Sequence, residues 1–380
     1  VTASIYPPTD RAWLDVDLDA LRHNVRQLRA HAGVPLVVMV KADAYGVGAV
    51  TVSRALGVPF DGSPATAEAP WGLGIAALDE AAALRDAGCR ARILCLTPIL
   101  PTELARALLL GVRPALHRAA DIAAWAALGQ PHGGRPYHLA IDTGMARAGV
   151  RWDQMDTLRD VVRAHPPEGV FTHFHSADDD LDSRDEQDAR FVDALLALGD
   201  ALPAAILRHS DNSAGIASRT RQSPGALARP GIAVYGGMFS IPLGLHQVVH
   251  LRARVVDLRE VAIGETVSYG ATWTATRPSR IATISAGYGD GYRRHLSNRG
   301  EVLLGGLHCP VVGRVTMDMV MVDVTNVPCA IGDVATLLGT DGTATLSTEH
   351  VAEVAGLSPY ELLVGLALRV PSRAISSSPE

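Results

Sequence analysis

Short β-branched runs separated by Ala-, Leu- and Arg-rich stretches of helical period recur eight times before about residue 237, and this alternation constrains the fold more than any other feature of the chain. The runs are PLVVMV, WGLGIA, ARILCL, VRPAL, PYHLAI, GVFTHF, AAILRHS and GIAVYG; helical segments such as LDEAAALRDAG, PTELARALLLG, WDQMDTLRDVVRAH and QDARFVDALLALGDAL lie between them. A regular β-α alternation demands a parallel sheet, and eight units are the number that closes into a TIM barrel. A doubly wound open sheet is the second arrangement that this pattern allows.

Ahead of the first unit, WLDVDLDALRHNVRQL reads as a strand and then a helix with Leu18, Leu21, Val25 and Leu28 on one face. After Gly237 the pattern changes to alternating strands with Gly turns: LRARVVDLREV, SRIATISAGYGDGYRR, EVLLGGLHCPVVGRV, MVMVDVT and DVATLLG. The expectation is an α/β chain, a (β/α)8 barrel over 12–243 followed by an all-β domain over 244–380, with residues 1–11 packing on the latter. An insertion over 57–72, GVPFDGSPATAEAPWG, is turn-rich surface with no role assigned, and the tail SSSPE is expected to fray.

With 380 residues, 48% of them hydrophobic, the chain can bury a large core, and a formal net charge of -6 without a Lys/Arg cluster argues against a nucleic-acid partner and for a small molecule. Cys89, Cys95, Cys309 and Cys329 lie far apart with no CxxC pair, so neither a disulfide framework nor a metal knuckle is indicated. No apolar run is long enough to span a bilayer. The expected location is cytoplasmic; the first residue is Val1 rather than Met, which leaves room for a removed leader.

In a barrel the active site is built by the loops at the carboxyl ends of the strands. Lys41 follows the first strand, Asp142 and Arg147 the fifth, His173 and His175 the sixth, and Ser213 the seventh, while Arg229 introduces the eighth. A lysine after a strand is usually solvated. Beside two arginines in a partly dry mouth, its pKa falls toward that of a general base or an amine ready to join a carbonyl. Arg147, in a Gly-flanked loop, is placed to clamp a carboxylate, although a surface ion pair accounts for it equally well on spacing alone. Ser213 and the Gly231-Ile232 turn suit a phosphate, and each is also an ordinary turn residue. His173 and His175 alternate across a strand and make poor co-ligands, so no metal site is read. Tyr269 and Tyr288 read singly as packing residues, and GYGDG lacks the context of a nucleotide loop.

Taken together, VMVKADAYG, IDTGMARAG, RPGIAVYG, VSYGATW, GYGDGYRR and GRVTMDMVMVDV closely resemble the alanine racemase family, fold-type III enzymes dependent on pyridoxal phosphate, in order and over nearly the whole chain. The resemblance implies that Lys41 holds the cofactor covalently and that Tyr45, Ser213, Gly231, Ile232 and Tyr360 reach its phosphate. His173 would stand beside the pyridine ring, Arg229 would bond its nitrogen and Arg147 the substrate carboxylate. Tyr269, Tyr288, Met317 and Asp318 would enter from the second subunit of a head-to-tail homodimer, with Lys41 and Tyr269 as the two bases of L- and D-alanine racemisation.

Three departures touch the substrate pocket. The family's lysine motif usually ends in His-Gly, where this chain has Val47-Gly48; many members carry a lysine where this chain has Ala140, and many a Cys where it has Thr316. The alternatives are a racemase preferring serine or another amino acid, or a decarboxylase or aldolase of the same fold type. The loop TMD lacks the Cys expected of a decarboxylase, and VSYG supplies the racemase tyrosine.

Overall fold

The computed structural model describes residues 11–129, 135–220, 222–238, 242–366 and 369–376; the readings made for residues 1–10 and for the last four of the tail lie outside them. The chain divides into two compact units, one of Val25–Ala44 with Ala49–Val234, the other of Val1–Asn24, Tyr45–Gly48 and Tyr235–Glu380. Strand β1 (Ala12–Asp17) runs into the helix Leu18–Ala32, where Asp17 Oδ1 accepts from the N–H groups of Asp19 and Ala20 at 2.9 Å each, an N-cap that satisfies donors the helix cannot.

The first unit is a parallel barrel. Strands β2 (Val37–Met39), β3 (Gly72–Ile75), β4 (Ile93–Cys95), β5 (Val112–Leu116) and β6 (His138–Asp142) pair in chain order; β7 (Val150–Arg151) adds to β6, and β8 (Gly169–Phe171) and β9 (Leu207–His209) continue the sheet. Every residue of β2, β3 and β4 is buried, as expected for parallel strands covered on both faces by the barrel interior and the helices.

The eighth place is not taken by GIAVYG. Ile232–Tyr235 is a 3-10 helix, and Ala226–Pro230 closes the barrel instead. Ala226 N–H donates to Arg208 O at 2.7 Å, while Ala228 O and Pro230 O accept from Val37 and Met39 at 2.8 and 3.0 Å. A short run buried on all sides has no periodicity to separate strand from helical turn.

In the second unit, β10 (Val249–Val261) is the long central strand. It is followed by β11 (Thr266–Val267), β12 (Trp273–Thr274), β13 (Ser279–Ile284), β14 (Glu301–Leu304), β15 (Leu307–Pro310), β16 (Val320–Asp323), β17 (Val334–Asp341), β18 (Ala344–Leu346) and β19 (Ser372–Ile375). The main sheet runs β15-β14-β17-β10-β1-β19. In it β1 lies antiparallel to β10, Ala12 opposite Ala253, and parallel to β19. The apolar positions of β1 require burial but do not specify which sheet provides it. The unit is mostly β, with helices beside its strands. The helices Thr348–Ala355 and Pro359–Val364 are capped by Ser347 and Ser358, the second with Pro359 in its first turn and a Ser358–Glu361 capping box.

Candidate active site

Lys41, the single lysine of the sequence, follows β2 at the carboxyl end of the barrel and begins a turn of unusual hand. Ala42, Asp43, Ala44 and Tyr45 have φ of 51°, 52°, 55° and 58°, and Gly46 has 87°. Each non-glycine residue in this left-handed region costs about 1–2 kcal/mol, so the turn persists only if its surroundings hold it. Ala44 N–H donates to Val40 O at 2.8 Å, Ala42 N–H to Glu80 Oε1 at 2.5 Å, and Ala49 N–H to Asp43 Oδ1 at 2.7 Å.

The Lys41 amine is half-buried. Its pKa is lowered by burial and then by Arg147, against an opposing pull from Glu80. Arg147 sits in the loop after β6, folded by Asp142, whose Oδ1 accepts from the N–H groups of Gly144 and Ala146 at 3.0 and 3.1 Å. Among the described residues no carboxylate pairs with Arg147. His173 follows β8 and is held neutral, its pKa pushed down to about 3 by burial and by Arg229, Arg147 and Lys41. Arg229 Nη2 lies 3.4 Å from His173 Nδ1. His175 points elsewhere, its two nitrogens at the hydroxyls of Ser176 and Ser183.

Arg229 is buried among carbonyl oxygens and imidazole nitrogens. One terminal nitrogen donates to His209 O at 2.7 Å, the other to Thr172 O at 2.6 Å and Ser210 O at 3.0 Å. Burial lowers its pKa to about 10, with Asp211 opposing, so the guanidinium is charged at neutral pH. Both terminal nitrogens are engaged, and Nε–H is the donor left for a ligand. Phe171 lies beneath it, ring centroid 5.3 Å from Cζ.

Under Arg229 a chain of hydrogen bonds crosses the barrel interior. Arg229 Nη1 lies 2.8 Å from His209 Nδ1, His209 Nε2 2.7 Å from His138 Nδ1, and His138 Nε2 3.2 Å from Glu168 Oε2. A guanidinium only donates and a carboxylate only accepts, so the protons sit on Nε2 of both imidazoles and every bond points away from the site. Burial lowers both histidines, which keeps them neutral. Burial would raise Glu168, but hydrogen bonds from His138 and Arg113 prevail and hold it down to about 2.

Ser213 opens the short helix Ser213–Ser218 after β9, and its Oγ accepts from Gly231 N–H at 2.8 Å. This joins the starts of two turns, Ser213–Ser218 and Ile232–Tyr235. The donor set suits one kind of ligand: a neutralisable amine for a carbonyl, a hydroxyl and backbone N–H groups for a phosphate, and a fixed guanidinium N–H for a ring nitrogen.

In the other unit, Tyr45 is buried with its ring against Tyr235 and Tyr360, centroids 4.7 and 6.1 Å away. Burial, then Tyr360, raises its pKa and keeps the hydroxyl a donor. Tyr269, Tyr288, Met317 and Asp318 line one cleft of about 860 Å³. Tyr269 is 73% exposed, presented by a turn with Ser268 and Ala271 at φ 66° and 46°. The Tyr288 turn is tied to the Met317 loop, Tyr288 and Gly289 N–H donating to Thr316 O and Met317 O at 2.9 Å each. Arg369 clamps the buried Asp290 and donates to Asp318 Oδ1 at 2.7 Å.

Sequence reasoning did not find Glu80, Gln187 or the His209–His138–Glu168 chain. Gln187 bridges the two loops, donating to Thr143 Oγ1 and His173 O at 3.1 Å each. A signal existed for His138: a histidine inside an apolar strand must have a buried partner. Ala140, where the family resemblance leads one to look for a lysine, is packed with Ala115, Phe171 and Leu96, so an apolar cluster fills that region.

Comparison with known proteins matches residues 16–238 to the family model described as alanine racemase, N-terminal domain, and 248–374 to alanine racemase, C-terminal domain. The alanine racemase of Deinococcus radiodurans is 39% identical over 368 residues, covering 96% of this chain and 99% of its own. Among solved structures, the alanine racemase of Bacillus anthracis with bound L-Ala-P superposes at TM-score 0.83 and 30% identity, covering 98% of this chain and 97% of that one. That of Bartonella henselae, with covalently bound pyridoxal phosphate, superposes at 0.84 and 28%, covering 97% and 100%.

Proposed function

From the premise that this chain belongs to the alanine racemase family, we propose that Lys41 and Tyr269 are its two proton carriers, one on each face of the substrate. The protein is a pyridoxal-phosphate-dependent enzyme that interconverts L- and D-alanine. The observation that carries the assignment of Lys41 is that the one amine side chain in the sequence stands half-buried at the barrel mouth, among Arg147, His173 and Arg229.

Pyridoxal phosphate, when bound, draws electron density from the substrate Cα–H bond and acidifies it. Lys41 would hold the cofactor, and its amine, with its lowered pKa, is suited to take or return a proton at Nζ. Arg147 binds the substrate carboxylate and fixes which face of Cα each base meets. Arg229, pinned by three carbonyls, offers Nε–H to the ring nitrogen and, remaining a cation, does not give up that proton; we infer that this favours return of the proton to Cα. Ser213, its Oγ fixed by the Gly231 N–H, would hold the phosphate with the Gly231–Ile232 turn, and the hydroxyls of Tyr45 and Tyr360 would complete the set. His173, neutral, would stand beside the ring.

The opposite face takes Tyr269 of the partner subunit, with Tyr288, Met317 and Asp318 of the same cleft around the substrate. Supporting this homodimer is the exposure of Tyr269 and Met317, 73% and 51%, in a cleft already shaped by interlocked loops. We place the enzyme in the cytoplasm, supplying D-alanine, a location with which its four free cysteines agree. No helix among the described residues is long and apolar enough to cross a membrane.

The test is incubation of the cofactor-loaded protein in D2O with L-alanine and, separately, L-serine, following Cα–H exchange by NMR and enantiomer ratio by chiral chromatography. Exchange with inversion, greater for alanine, is the expected result. Lys41→Ala should lose both exchange and the cofactor's visible absorbance. Release of carbon dioxide or of the side chain would instead mean a different reaction.

A further inference from the structure

We infer that Glu80 is the positioning residue of the cofactor-bearing lysine: its carboxylate fastens the left-handed turn that begins at Lys41 to the rim of the neighbouring strand, and sets an anion against the amine. The inference rests on the reading of Lys41 given above. Glu80 lies in the first turn of the helix Leu78–Asp86, after β3. Oε1 accepts from Ala42 N–H at 2.5 Å, on the residue following the lysine; Oε2 accepts from Ala76 and Ala77 N–H at 2.8 and 3.1 Å, on the β3 loop. One carboxylate thus spans two strand ends, using charge-assisted bonds of the stronger class.

Strain makes that anchor consequential. Four successive non-glycine residues in the left-handed region give the segment a downhill route to ordinary backbone geometry if released. The direction of the Lys41 side chain depends on that backbone. Neighbouring bonds of Val40 and Asp43 hold the turn internally or to the segment that follows, whereas Glu80 ties it across the barrel rim.

The charges point the same way. Among the described residues, Arg147, His173 and Glu80 interact electrostatically with Lys41. His173 is neutral, Arg147 is a cation that lowers the amine's pKa, and Glu80 raises it. Glu80 is therefore the counterweight that keeps the amine able to bind a proton as well as release one. A glutamine has one acceptor oxygen and no charge. It can serve only one arm of the bridge.

The single lysine makes a direct test possible, because an amine reagent reads Lys41 and the α-amino group alone. Cofactor-free wild type, Glu80→Gln and Glu80→Ala are labelled with acetic anhydride across pH, and the Lys41 peptide is quantified by mass spectrometry. The expected result is a Lys41 titration displaced to lower pH in both variants, with the acid limb of the kcat profile moving the same way. In Glu80→Ala, with the anchor gone, kcat should fall roughly tenfold or more. A Lys41 titration that stays in place or rises in Glu80→Gln overturns the inference, as does a kcat profile that matches wild type. If Glu80→Ala does not fold, the near-isosteric Glu80→Gln decides alone. Lys41→Ala in the same series separates the two levels. If it keeps the cofactor's visible band, the reading of Lys41 has failed; if it loses the band while both Glu80 variants behave as wild type, only Glu80 is misassigned.

Discussion

A buried histidine is a proton-counting problem, and this chain poses it repeatedly. His250 on β10 is 7% exposed and uses Nδ1 to accept from Thr340 N–H at 3.1 Å, a bond that requires the neutral ring. Burial, then Arg252, lowers its pKa to about 4, against the opposing pull of Asp17. Above the unfolded value of about 6.5 neither state carries the proton. Between there and about 4 only the unfolded state does, so stability falls with pH across that window by about 1.4 kcal/mol per unit from this residue. In His250→Gln, whose amide oxygen can still accept from Thr340, the urea midpoint should fall less steeply between those pH values. His138, His173 and His209, also held neutral by burial, contribute to the slope that remains.

Between residues and fold, the elements that shape the site are those with constrained backbones. The turn after β2 gives Lys41 its position through left-handed geometry. The chain from Arg229 to Glu168 depends on a glycine in the strand beside it. A Cβ on Gly169, in β8, would lie 2.5 Å from His138 Nδ1 and 2.9 Å from Leu207 O. Gly169→Ala must therefore push His138 off His209 or part β8 from β9. We expect a loss of about 1–3 kcal/mol in chemical denaturation, together with a changed His209 imidazole signal in NMR as its Nε2 partner moves. An unchanged signal would mean that the barrel absorbs the methyl elsewhere.

If each site takes Lys41 from one subunit and Tyr269 from the other, Lys41→Ala and Tyr269→Phe are each nearly inactive as homodimers and should complement when refolded together. Half of a random mixture is heterodimer with one intact site of two, so about a quarter of wild-type activity should return. No recovery, with heterodimers present by mass spectrometry, would place both bases in one subunit.

The alternation of apolar runs, with their helical spacers, determined the barrel, because a parallel strand buried on both faces has to be apolar throughout and has to be followed by a crossover. Lys41, Arg147, His173 and Arg229 were legible because a barrel puts its chemistry just beyond its strands. Patterning could not say that β1 joins β10, or that Ala226–Pro230 rather than GIAVYG closes the barrel, since apolarity records burial and not the partner. Nor could it show the left-handed turn at KADAYG, where three residues between Lys41 and Gly46 are alanine and aspartate, unremarkable in an ordinary helix. That backbone is strained locally, and Glu80, 38 residues on, accepts the Ala42 N–H from across the barrel rim. A bond of that kind belongs to the tertiary structure, which alone brings together the two groups that make it.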